Sequence, residues 1–152
     1  MDREIDGSCL CGHIRYSATI DDAKVRICHC TQCQINSASA FRTGVLVHQD
    51  NFRLTHGQLK TYIKTAESGN RRVLTFCPEC GTSIYGAGVE DQTFLSLRLG
   101  TASQRNELIP SAHMWYRSAV PWLSRLMDLP SYEKGMPPAV AQPCVMEQHD
   151  HD

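Results

Sequence analysis

The 152-residue sequence lacks any apolar run approaching the ~20 residues that span a bilayer. It also lacks a surplus of charge: 15 Lys and Arg stand against 16 Asp and Glu, a net charge of -1. A protein that grips nucleic acid by neutralising phosphates needs a clustered positive surplus, so that class is not expected. No apolar stretch follows the opening Met1-Asp2-Arg3-Glu4, so no signal peptide is expected. Helical periodicity is scarce, and no whole-domain repeat is visible. These absences point to a soluble cytoplasmic protein with neither nucleic acid nor membrane as partner. The length suffices for one hydrophobic core and is too short for two.

What is present is period-two alternation. Ile14, Tyr16, Ala18 and Ile20 share one strand face, with His13, Arg15, Ser17 and Thr19 on the other. Similar short runs cover 24–28, 44–48, 52–55, 59–64, 71–76, 82–85, 93–99 and 112–116, with Asp-, Asn- and Gly-rich turns between them. Many short strands with close turns predict an all-β sheet stack or open barrel. Short helices are expected only at 31–40 and 120–127, the latter with Pro121 in its first turn. The prolines at 130, 137, 138 and 143 set off a C-terminal tail. The expected organisation is a domain over 1–135 and a Pro-rich tail over 136–152.

Eight cysteines are about 5% of the chain, below the ~8–10% of a disulfide scaffold. In a reducing compartment they read as metal ligands. Seven fall in three clusters: Cys9-Leu10-Cys11-Gly12, Cys28-His29-Cys30-Thr31-Gln32-Cys33 and Cys77-Pro78-Glu79-Cys80-Gly81. The eighth, Cys144, is in the tail. In the outer clusters a glycine follows the second cysteine, where a knuckle turn needs φ > 0. Two knuckles supply four thiolates, and four make a closed structural zinc site. Cys9 and Cys11 are therefore paired with Cys77 and Cys80, across 66 residues (77 minus 11). The middle trio can face one metal if a strand ends in a short helical turn. Three ligands leave a tetrahedral position open, as a catalytic zinc requires. Other readings stay open: buried or redox-active thiols, a second structural site completed by His29 or His13, or a Cys30–Cys33 disulfide.

These clusters, with Phe76 and Thr82 flanking the last and the later Pro110, His113-Met114-Trp115, Ser118, Pro121-Trp122 and Leu129-Pro130-Ser131-Tyr132, resemble the glutathione-dependent formaldehyde-activating enzyme family, which includes centromere protein V-type domains. The resemblance covers about residues 5 to 133. It implies an Mss4-like, zinc-stabilised β-tent fold. It implies a structural zinc on Cys9, Cys11, Cys77 and Cys80 and a catalytic zinc on Cys28, Cys30 and Cys33. It also implies a carbon–sulfur lyase activity, the reversible addition of glutathione to formaldehyde. One departure matters. Gln34 stands where the family usually has a basic residue, and Ser37-Ala38 where it has Ser-Gly or Thr-Gly. The missing cation weakens the case for an anionic thiol at that metal.

A thiolate-rich zinc would favour sulfur chemistry over water activation. His29 and His113 are the candidate general acids, each set against a structural role. Gln34, Asn36 and Ser39 are candidate ligand contacts or helix caps. Phe41, Trp115 and Trp122 are candidate pocket walls, and Arg42, Arg98 and Arg117 candidate carboxylate partners. His149, Asp150, His151 and Asp152 read as a solvated end. A zinc enzyme acting on a thiol–aldehyde adduct is the leading expectation, as monomer or homodimer. A zinc-stabilised binding module and a thiol redox or metal-buffering protein are the alternatives.

Overall fold

The computed structural model describes residues 1–138. The strands are β1 (Asp2–Ser8), β2 (Arg15–Asp21), β3 (Val25–Cys28), β4 (Arg42–His48), β5 (Phe52–His56), β6 (Lys60–Thr65), β7 (Arg71–Phe76), β8 (Ser83–Gly88), β9 (Phe94–Arg98) and β10 (Ala112–Met114). One α-helix, α1 (Thr31–Ser37), follows β3. The fold is mainly β, as the alternation predicts. The strands form a three-stranded sheet, β1-β2-β5, and a seven-stranded sheet, β10-β3-β4-β9-β8-β7-β6. All pairings between these strands are antiparallel except β10 on β3. Among the described residues no helix is long and apolar enough to cross a membrane.

The core lies between the sheets. Ile5, Tyr16, Ala18 and Ile20 come from the smaller sheet, and Val25, Val45, Val47 and Leu97 from the larger. The Tyr16 ring stacks on Phe52 at 5.5 Å, and its hydroxyl is 2.8 Å from Thr101 Oγ1. That bond satisfies the one polar atom the ring takes inside. The chain divides into two compact units, Met1–Pro121 and Trp122 onward. In the second, a 3-10 stretch covers Leu123–Asp128.

The structure departs from the sequence expectations in three places. β1 is absent from them because Asp2, Glu4, Asp6 and Ser8 leave only Ile5 and Gly7 turned inward. The helix expected over 31–40 stops at Ser37, where Ala38 turns left-handed. The one expected over 120–127 is a 3-10 stretch starting at Leu123, after a turn at Pro121 and Trp122. Cys144 and the His149–Asp152 end lie outside the described residues.

Gly7 carries a testable constraint. A Cβ there would lie 2.3 Å from Tyr16 Oη and 2.5 Å from the Thr101 carbonyl, whereas one at Gly100 would meet nothing within 4 Å. Gly7→Ala is expected to lower unfolding free energy by about 1–3 kcal/mol, and Gly100→Ala by no more than about 0.5. Urea titrations of both variants check this, and equal stabilities would contradict it.

Candidate metal centres and cavity

The outer cysteine pairs meet. Cys9 and Cys11 sit in the β1–β2 connection, Cys77 and Cys80 in the β7–β8 connection, and their four sulfurs lie within 4.8 Å of one another. Cys9 Sγ is 3.6 Å from Cys11 Sγ, which is 3.8 Å from Cys77 Sγ. Each turn closes as its glycine requires: Gly12 has φ 78° and Gly81 φ 76°. The Gly12 N–H donates to the Cys9 carbonyl at 3.1 Å, and the Gly81 N–H to that of Cys77 at 2.9 Å. The Ile14 N–H donates to Cys9 Sγ at 3.2 Å, and Cys80 Sγ is 3.1 Å from Thr82 Oγ1. Thr82's side chain and backbone, with the Cys11 N–H, hold the Cys80 thiol down to about 5. Cys11 goes the other way, to about 12: the His13 N–H pulls it down, but burial and the three neighbouring sulfurs outweigh that. Such opposed shifts mark sulfurs too close to ionise independently. Soft donors at this spacing suit a thiophilic ion such as zinc.

The middle trio also converges, by the local route the spacing suggests. Cys28 ends β3, Cys30 caps α1 and Cys33 lies in its first turn. The Cys33 N–H donates to Cys30 Sγ at 3.3 Å. The three sulfurs fall within 4.8 Å, and among the described residues no histidine nitrogen joins their group. His29 is instead fully buried, its Nε2 2.8 Å from His113 Nδ1. Burial, and secondarily the His113 charge, lower its pKa and keep the ring neutral. His113 itself is exposed rather than packed, because β10 is an edge strand. Cys33 is held down to about 5, chiefly by its bond to Cys28, against burial and with help from the Arg42 charge. Cys28 is pushed up, by Cys33 first and burial second.

Cys28 and Cys33 open into a cavity of about 510 Å³ on the outer face of the large sheet. Register builds that face. Arg42 lies opposite Cys28, Arg98 opposite Gly44, and Lys64 opposite Arg72. Leu46, Leu74, Met114 and Trp115 supply its apolar wall. The edge strand β6 reaches α1, where Gln32 accepts from Lys64 Nζ and donates to the Thr65 carbonyl at 3.3 Å. Gly86 makes room for Arg98: a Cβ there would sit 2.7 Å from its Nη2. A shallower cavity of about 610 Å³ over β1, β2 and β5 contains Glu4, Asp6 and Asp50 but no cysteine.

The other candidates sort as follows. Arg42 and Arg98 line the main cavity; Arg117 pairs instead with Glu67 at 2.9 Å. Gln34 ties backbone together, donating to the His29 carbonyl at 2.7 Å and the Ser118 carbonyl at 2.8 Å. Asn36 accepts from Arg42, Ser39 is exposed, and Phe41 packs 5.8 Å from the His29 ring. Trp115 lines the cavity, while Trp122 opens the second unit and is half exposed. Neither His29 nor His113 lines it. The cation missing at position 34 is therefore not missing from the site, since Arg42 and Arg98 stand there from β4 and β9. Lys64 and Arg72 escape sequence reading because nothing local joins 64–72 to the triplet. Their outward alternation on β6 and β7 is the only signal.

A mainly β domain with two cysteine clusters that could each hold a metal ion defines a class, and comparison narrows it. A family model described as glutathione-dependent formaldehyde-activating enzyme matches residues 4–118, and the chain belongs to that family. An uncharacterized lyase of Schizosaccharomyces pombe is 31% identical over 84 residues, 55% of this chain and 58% of the relative. The match thus spans less than two thirds of that protein. The crystal structure of a Rhodobacter sphaeroides protein, a structural genomics target, shares the fold. It has a TM-score of 0.57 at 16% identity and covers 72% of this chain and 99% of that one.

The departure at position 38 has a physical cost. Ala38 takes φ 49°, ψ 40° to end α1, the left-handed conformation that glycine adopts without strain. Ala38→Gly is expected to stabilise the protein by about 1 kcal/mol or slightly less, the relief of strain being partly offset by a floppier unfolded chain. Thermal unfolding of the two proteins measures this, and a lower midpoint for the glycine variant would contradict it.

Proposed function

We propose that the protein is a zinc-dependent carbon–sulfur lyase that joins a small thiol to an aldehyde and splits the adduct again. The observation that carries this is the opening of Cys28 and Cys33 into a cation-lined cavity, while Cys9 and Cys77 are buried. Membership of the family and the lyase name of the yeast relative support it. On this reading Cys9, Cys11, Cys77 and Cys80 hold a structural zinc, and Cys28, Cys30 and Cys33 a catalytic one. Zinc held by Cys28, Cys30 and Cys33 would bind a small thiol and favour its thiolate form.

The chain's own residues do the rest. In the addition, the sulfur–carbon bond forms and the carbonyl π pair moves to oxygen, which then takes up a proton. Arg42, only 8% exposed, and Arg98 put positive charge where that oxygen becomes anionic. Leu46, Leu74 and Trp115 wall the reacting groups from bulk water. Because neither histidine lines the cavity, the proton is exchanged with solvent at its mouth. His29 instead ties strands together: its backbone N–H donates to the Met114 carbonyl at 3.0 Å, and its ring packs on His113, Phe41 and Tyr116.

The two clusters are expected to answer differently to mutation. Cys77→Ser should cost at least about 3 kcal/mol, a fraction of the ~10–16 kcal/mol with which structural zinc binds finger peptides. Cys28→Ser should cost about 1 kcal/mol, an ordinary substitution effect. It should also slow exchange between formaldehyde and its adducts with glutathione or 2-mercaptoethanesulfonate by at least tenfold, read by 13C exchange NMR. Native mass spectrometry should show one zinc retained. Undiminished exchange in that variant would sink the reading.

A further inference from the structure

The cavity beside Cys28 and Cys33 is lined by Lys24, Arg26, Arg42, Lys64, Arg72 and Arg98, and, among the described residues, by no Asp or Glu. Lys24 has a carboxylate partner, Asp21, at 3.8 Å. Among the described residues the other five have none. Their recorded bonds go to neutral oxygens: Arg26 to the Ala23 and Val25 carbonyls and Ser111, Arg42 to Asn36, Lys64 to Gln32, and Arg98 to Ser96 at 3.0 Å. Arg98 Nε is buried with no partner. In a protein whose net charge is -1, five such cations on one concave face are a strong local departure.

Register makes the crowding unavoidable. Lys64 and Arg72 are directly opposite on adjacent strands, a like-charge pair that repels. Arg26 and Arg98 flank Gly44 from either side of β4. Burial, then Arg42 and further off Arg72, press Arg98 down to about 9, against the pull of Cys33. Burying guanidinium charge without a counter-ion costs stability. The Cys28–Cys30–Cys33 sulfurs account for Arg42, which lies opposite Cys28. Lys64 and Arg72 bring further charge from β6 and β7, Lys64 reaching α1 through Gln32. A ligand in the cavity therefore meets sulfur and a wall of cations together.

We propose that this site selects a small thiol whose tail carries two or more anionic groups and no ammonium, rather than an amino-acid thiol. The proposal rests on the reading that the Cys28–Cys30–Cys33 cluster engages a thiol, and it adds what the rest of that thiol is. A carboxylate, sulfonate or phosphate tail pairs with Lys64, Arg72 and Arg98, with arginine offering a bidentate fork. An ammonium, as glutathione carries on its γ-glutamyl end, finds no acceptor carboxylate on the lining and is repelled by five cations. Discrimination by the uncompensated charge is thus built into the wall.

Calorimetric titration of the full chain with mercaptosuccinate, glutathione, cysteamine and the thiol-free succinate tests this. Mercaptosuccinate is expected to bind at least tenfold tighter than glutathione, cysteamine at least a hundredfold weaker than mercaptosuccinate, and succinate to compete with mercaptosuccinate. Arg72→Gln and Lys64→Gln, made separately, should each weaken mercaptosuccinate at least threefold and shrink its advantage over glutathione. If one variant does not fold, the other decides. Glutathione binding as tightly as mercaptosuccinate, or an advantage unmoved by the variants, overturns the proposal. Selective mercaptosuccinate binding without turnover of any adduct would fail the lyase reading and leave this selectivity standing. Turnover with glutathione preferred would do the reverse.

Discussion

The fold depends on one contact between distant parts of the chain. Cys11 and Cys77 stand 3.8 Å apart across 66 residues, and with Cys9 and Cys80 they join the β1–β2 connection of the small sheet to the β7–β8 connection of the large one. The His13 N–H pulls Cys11 down but burial and its neighbouring sulfurs push it up, while Thr82 and the Cys11 N–H hold Cys80 down, so the four sulfurs do not ionise alike. A divalent ion held by the four would turn that conflict into a bond that both sheets share. The rest of the core then packs as ordinary apolar faces, with Ile5, Tyr16 and Ile20 against Val45, Val47 and Leu97.

With that face committed to the core, the outer face of the large sheet is released for chemistry. Alternation sends Val45, Val47, Leu95 and Leu97 inward, and Arg42, Leu46, Ser96 and Arg98 outward. Gly44 and Gly86 stand on the outward rows and present no side chain. A larger residue at position 86 would meet the Arg98 guanidinium itself. Gly86 thus leaves the space that the Arg98 side chain occupies, and Gly44 adds no side chain to the cavity it lines. The trio of sulfurs reaches its rim because β3 stops at Cys28 and turns into α1 within two residues.

Legibility followed sequence distance. The cysteine pairs were readable because each knuckle is local, and each carries its own glycine at φ near +77°. The strand-to-helix turn of the trio was readable for the same reason. β1 was not, since four of its seven residues are polar and face out, so alternation left too few apolar marks. The cation wall was not readable either. Arg42, Lys64, Arg72 and Arg98 come from four strands, and only the sheet order brings them to one cavity. Gln34 misled for a related reason. A motif records which residue follows a ligand, but charge acts through space, and Arg42 supplies from β4 what position 34 does not.

The two clusters differ in what surrounds them more than in how they are built. Cys9 and Cys77 are sealed in the core, and the donors that meet the four-sulfur group are backbone N–H groups, among them those of Ile14, His13 and Cys11, and the hydroxyl of Thr82, all neutral. The Cys28–Cys30–Cys33 group faces guanidinium groups and open volume. Neutral donors stabilise a fixed charge without attracting another, so the first environment suits an ion that stays closed. Cations stabilise a charge that has yet to arrive, because their field extends into the cavity and concentrates anions there. The same ligand type can therefore serve as a staple in one place and as a receptor in the other. What decides between them is the strand face on which the sulfurs emerge.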